Sequence, residues 1–284
     1  MFARPFDHVR GVCMASGRAA RARHQVGEPR RPARSSGARR GPARPSRNGP
    51  RAGATPGRRP SRPPLPDEIG DVELDPSIRA ELRSLGKPLA DEIAAHLLAA
   101  GLLIDDNPAA ALAHARYARS RAGRIGAVRE AAGVAAYAAG EYAEALAELR
   151  AARRMSGDPS VLALIADSER ALGRPERALR AAEDPALPRL ERDEQIEVFL
   201  VVAGARRDLG QLDAALAMLQ RAGATADPAP GQSTASTARL YYAYADLLAA
   251  IGRSAEAKSW FERADAVDDV GATDAARRAR EIHA

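Results

Sequence analysis

One phrase recurs along the chain and restricts what it can fold into. Gly140-Glu141-Tyr142-Ala143-Glu144-Ala145-Leu146 is echoed by Gly173-Arg174-Pro175-Glu176-Arg177-Ala178-Leu179. It returns as Gly210-Gln211-Leu212-Asp213-Ala214-Ala215-Leu216 and as Gly252-Arg253-Ser254-Ala255-Glu256-Ala257-Lys258. In each, a glycine able to take the left-handed conformation ends one helix, and a short turn leads into the next. In the clearest copy the second helix starts at about Ala143 and puts Ala145, Leu149 and Ala152 on one face, at helical spacing. Ala111-Leu112 stands 34 residues before Ala145-Leu146 and marks a degenerate earlier copy. A helical pair of this length cannot bury its apolar face alone, so it stacks on its neighbours.

The expected fold is therefore all-α: about five helical hairpins in an α-solenoid, covering about 92–125, 126–159, 159–192, 193–225 and 236–269. The turn glycines are 33, 37 and 42 residues apart, so the last intervals carry extra loop length. In the third copy the helices are expected at about Pro159–Leu172 and Pro175–Ala182, before a link containing Pro185 and Pro188. In the fifth the first helix is expected at about Ser236–Ile251, after a loop rich in Ala, Pro, Gly, Ser and Thr. Two capping helices flank the stack. Asp75-Pro76 reads as a helix start that Gly86 stops, and Thr273–Ile282, a C-terminal cap at 273–283, reads as a last helix with Thr273 at its N-cap. Arg277, Arg278, Arg280 and Glu281 are expected on its outer faces. Aromatics make up only 4% of the chain against 45% hydrophobic residues, so the core must be built from small side chains brought close together.

The ends differ in charge. Residues 1–66 hold 16 arginines and two acids, Asp7 and Glu28, for about +14; with +6 overall, the remainder carries −8. Eleven of the 20 prolines also lie there, and no helical or strand period is visible. Residues 1–70 are expected to be a disordered basic tail, and 71–284 the folded domain. Three readings of the tail stay open: an arm that binds nucleic acid through counterion release, an organelle-targeting segment, or a leader from a start codon placed too far upstream. The single cysteine, Cys13, excludes an intrachain disulfide. With no long apolar run and no secretory pattern, the expected location is the cytoplasm, with no membrane contact.

Five helical pairs at a spacing near 34 residues resemble the tetratricopeptide repeat family. Gly133, Gly140, Tyr142, Ala145, Leu149, Ala152 and Pro159 carry the resemblance most fully. Ala257, Phe261 and Ala264 repeat the family's small–aromatic–small spacing. Ala178 with Ala182, and Ala215 with Leu219 and Ala222, match more weakly. An acidic stack carrying a phrase such as Ala145–Arg154 also looks like actinobacterial members of this class, which supplies no activity. The resemblance implies a right-handed superhelix whose inner face is lined by the first helices and binds a protein or peptide. It departs from the family where Ala136 replaces the usual large residue and where the third and fourth copies lack the aromatic.

In family register the inward positions include Glu130 and Tyr137 of the second copy, Asp167 and Arg170 of the third, Arg207 of the fourth, and Arg239, Tyr242 and Asp246 of the fifth. Val134, Glu197 and Gly204 belong to the same row. Arg and Tyr are the residue types that anchor interfaces, although the same charges also serve a solvated helix face. Co-chaperone members of the family clamp a C-terminal carboxylate with inward Lys and Asn; Glu130 and Val134 at those positions disfavour that mode. His96 and His114 sit on adjacent predicted helices near Asp105 and Asp106, but no pair has the spacing of metal ligands. No phosphate loop, dinucleotide fingerprint or nucleophile elbow is present. The sequence thus predicts a non-enzymatic scaffold with no cofactor and no metal, and an unidentified protein or peptide partner. Nucleic acid could enter only through the tail.

Overall fold

The computed structural model describes residues 61–67, 69, 73–228 and 232–282. Most of the basic tail, with His8, His24 and Cys13, lies outside the described residues, as does His283. Within them the chain forms twelve α-helices and no strand. In chain order these are α1 Pro76–Leu82, α2 Lys87–Leu103, α3 Pro108–Ala122, α4 Gly126–Ala138, α5 Tyr142–Ser156 and α6 Leu162–Ala171. They continue as α7 Pro175–Ala178, α8 Arg192–Asp208, α9 Leu212–Arg221, α10 Thr234–Ala250, α11 Ser254–Val267 and α12 Ala275–Glu281.

The repeated phrase folds the same way each time. Gly140 has φ +78°, its N–H bonds the Tyr137 carbonyl at 3.0 Å, and the Glu141 N–H reaches the Ala136 carbonyl at 2.8 Å. This pair of bonds satisfies the last carbonyls of α4 and turns the chain directly into α5. The longer bond recurs as Arg174 to Glu169, Gln211 to Arg206 and Arg253 to Leu248, at 2.8–2.9 Å.

Within each pair, small residues set the separation. A Cβ placed on Gly133 of α4 would lie 2.6 Å from Leu149 Cγ and 3.0 Å from the Leu149 backbone N of α5, so only glycine allows this approach. Ala145, Leu149 and Ala152 are buried, as are Ala215, Leu219 and Ala222, and Ala257, Phe261 and Ala264. The small–large–small triads read from the sequence thus sit at equivalent buried positions. The first helices α2, α4, α6, α8 and α10 contact one another in chain order, and each second helix packs against the pair that follows. α1 rests on α2 and α4 at one end, and α12 on α11 at the other.

Several expectations need correction. The second helix of the third copy is α-helical only over Pro175–Ala178; Leu179–Glu183 and Leu187–Arg189 are 3-10 turns. Pro185 forces Asp184 into an extended conformation, ψ 127°, which stops the helix there. Its first helix begins at Leu162 rather than Pro159, because Asp158 accepts the Ser160 N–H at 2.9 Å and holds that stretch in a turn. Gly86 does not end α1, which stops at Leu82; with φ −60° it occupies the N-cap position of α2. α10 starts at Thr234, two residues before the expected Ser236, because Ser233 caps it by accepting the Ser236 N–H. Thr273 is drawn back onto Asp268, to which its backbone N–H and hydroxyl donate at 2.7 and 2.8 Å, so α12 begins only at Ala275. Asp75 does cap α1, accepting the Ser77 N–H at 2.8 Å.

Candidate partner-binding face

The sequence-chosen residues of the first helices are stitched into a ladder. Tyr137 on α4 donates its hydroxyl to Asp167 on α6 at 2.5 Å. Arg170, one turn along α6, donates to Asp167 at 3.1 Å and to Asp208, just at the end of α8, at 2.5 Å. Its guanidinium lies over Gly204, where a Cβ would come 3.1 Å from Cζ. Arg207 on α8 pairs with Asp246 on α10. Asp246 accepts a second guanidinium, Arg278 of α12, at 2.7 Å. Arg278 also stands 4.9 Å from the Phe261 ring centroid and reaches the Tyr242 hydroxyl. The end helix therefore does not keep Arg278 on an outer face: it turns this residue inward and closes the ladder.

Exposure separates the rungs. Asp208 and Arg207 keep 40% and 37% of their side-chain surface, whereas Arg239 keeps 10% and its partner Glu197 1%. Arg239 and Glu197, 2.6 Å apart, form an internal tie between α10 and α8, and Arg239 is withdrawn from the surface assigned to it. Val134 is likewise buried. Tyr137, Asp167, Arg170, Tyr242 and Asp246 remain half-buried. Burial, then the neighbouring carboxylates, raise both tyrosines, Tyr242 to about 12, so both hydroxyls stay protonated donors at neutral pH.

Glu130 stands apart from the ladder. It is half-buried on α4 and has no ion-pair partner among the described residues. Burial first, then the charges of Asp158 and Glu81, push its carboxyl up to about 7. Asp158 also raises Glu194 of α8, whose shift is caused first by burial. The α4 end of this row thus gathers Glu130, Glu81, Asp158 and Glu194, none of them in an ion pair among the described residues.

His96 and His114 do meet. Both are buried, and their Nδ1 atoms are 2.9 Å apart. Asp105 and Asp106 of the turn are exposed, and no group of three or more His, Cys, Asp or Glu able to hold a metal ion occurs among the described residues. No helix among the described residues is long and apolar enough to cross a membrane. What sequence reading missed are Asp208 and Arg278 as rungs, and the buried Glu148 and Glu169, each gripped by arginines of neighbouring helices. Their only sequence signal is a glutamate on a helix face otherwise apolar, which local pattern does not distinguish from an exposed one.

The fold and face define an all-α protein whose helical pairs pack in chain order. Neither a scan of protein-family models nor a search of curated proteins finds a match to this chain.

Proposed function

We propose that the chain is a non-enzymatic scaffold of the tetratricopeptide-repeat kind, an α-solenoid whose first-helix face is the concave one and holds an extended peptide or partner helix in the cytoplasm. The helix-to-helix order and the recurrent left-handed glycine turns support the repeat reading. The observation that carries the binding reading is Glu130: a half-buried carboxyl with no ion-pair partner among the described residues, raised by burial and then by neighbouring acids, beside a ladder whose own charges are paired. Its repulsion with Asp158 and Glu81 is relieved by a positive group, so the partner segment is basic where it crosses α4. The Arg170, Arg207 and Tyr242 side chains supply the planar and aromatic contacts further along.

The test is capture of partners by the wild type and by the Arg170→Ala, Arg207→Ala, Tyr242→Ala triple variant, after confirming that both are folded by circular dichroism. Loss of partners in the variant is expected; identical partner sets reject the groove. A second reading has the Arg-rich tail binding nucleic acid while the helical stack acts as adaptor, motivated by the split of +14 against −8. It requires steeply salt-dependent binding that disappears on deleting residues 1–66, and a truncated chain that binds equally well defeats it.

A further inference from the structure

A cavity of about 580 Å³ opens between α5, α6 and the shortened α7 with its 3-10 extension. That volume lies in the range of small-molecule sites. Its floor is apolar, formed by Leu162, Ile165, Ala166 and Ala181. Its walls carry Arg150, Arg153 and Arg154 from the last two turns of α5, and Arg177 and Arg180 from the third copy's second segment. Against these five arginines stand two carboxylates, Glu169 and Asp184, an excess of three positive charges in a domain that is net negative.

The two acids organise the arginines more than they neutralise them. Glu169, with 2% of its side chain exposed, pairs with Arg150 at 2.5 Å, Arg174 at 3.3 Å and Arg177 at 3.8 Å. Asp184 holds Arg153 at 2.7 Å. Arg154 and Arg180 have no carboxylate partner among the described residues and are exposed at the mouth. Arginines at the end of α5 also suit the helix dipole, but that does not account for the two on the opposite wall. Ion pairing fixes Arg153 and Arg177 in advance, so they lose little freedom on binding, while Arg154 and Arg180 keep charges unspent by any described carboxylate; the guanidinium fork of each matches phosphate oxygens.

We propose that this cavity binds a small molecule bearing adjacent phosphate groups, with an apolar portion against Leu162 and Ile165. The phosphates are held by Arg154 and Arg180 and backed by Arg153 and Arg177. The site shares no residue with the ladder of the first-helix face and stands or falls separately from the scaffold reading.

Titration calorimetry with inorganic pyrophosphate and with ADP tests it on the full chain. Binding of ADP more tightly than pyrophosphate is expected, and equal binding removes the apolar portion from the proposal. Arg154→Gln with Arg180→Gln weakens binding about 100-fold, the loss of two charge-assisted contacts. Neither side chain has a hydrogen-bond or ion-pair partner among the described residues, so the variant should keep the wild-type thermal melt. Arg263→Gln, which removes a remote exposed arginine, leaves binding unchanged. No binding of either probe, or undiminished binding by the double variant, overturns the site. So does tighter binding of an acidic peptide than of either phosphate compound.

Discussion

The buried histidine pair makes stability depend on pH in a direction that can be worked out. His96 Nδ1 and His114 Nδ1 share one hydrogen bond at 2.9 Å, so one nitrogen carries the proton and the other must not. His96 Nε2 is buried with no hydrogen-bond partner among the described residues, and the Tyr117 ring packs 4.4 Å from the His96 ring. Adding a proton to the acceptor Nδ1 sets two N–H groups against each other; adding one at Nε2 places a charge at a buried atom with no acceptor among the described residues. Burial first, then His114 and Arg62, depress His96 from 6.5 to about 4, opposed by Glu92. Burial also lowers His114. The unfolded chain takes up these protons below its ordinary pKa of 6.5, while the folded chain refuses one until near 4. The stability is therefore complete above about pH 6.5 and is lost as pH falls through that window. From His96 alone the full loss is about 3 kcal/mol, of which about 2 kcal/mol falls between about pH 7.5 and pH 5. The assay is urea denaturation of the wild type and of His96→Leu/His114→Leu at those two pH values. Replacing both partners by apolar groups of similar size is nearly neutral at the higher pH. At the lower pH the wild type loses about 2 kcal/mol more than the double variant. Equal losses in the two proteins refute the reasoning, because carboxylate titration is common to both.

Two other predictions rest on single positions. Gly133→Ala drives a Cβ to 3.0 Å from backbone in α5, so overpacking of about 1–3 kcal/mol outweighs the propensity gain of alanine; a melting temperature at or above wild type contradicts the close approach. Glu130→Gln removes a carboxyl whose folded pKa is raised from 4.5 to about 7, so the folded state favours its proton and wild-type stability falls as pH rises through that interval. The variant is expected to be about 1–2 kcal/mol more stable than wild type at about pH 8, with the difference fading toward pH 4; denaturation curves at both pH values decide it.

Much of the helical architecture was legible because its signals are local. A left-handed glycine, the turn after it and an alanine–leucine–alanine face are contained within a dozen or so residues, so Gly140–Ala152 states its own fold. Local pattern failed where a neighbour competed for the same atoms. Thr273 was taken by Asp268, and the segment after Ala178 was broken by the conformation that Pro185 imposes. Tyr137, Asp167, Arg170, Arg207 and Asp246 were placed on one face by the register of the resembled family, and the structure joins Tyr137, Asp167 and Arg170 in one group and pairs Arg207 with Asp246 in another. The same reasoning put Arg239 on the surface and missed that Glu197 draws it inside.

From the residues alone come the helical pairs, their turns and the alanine-rich seams, since each depends on side chains within one or two helical turns of one another. Which charges meet was decided only by tertiary structure. Tyr137 and Asp167 are 30 residues apart, Arg207 and Asp246 39, and Arg239 and Glu197 42. Whether such groups touch depends on how successive first helices lie against one another, which no run of neighbouring residues contains. The arginine-lined cavity arises in the same way, from three segments whose individual sequences carry no sign of it.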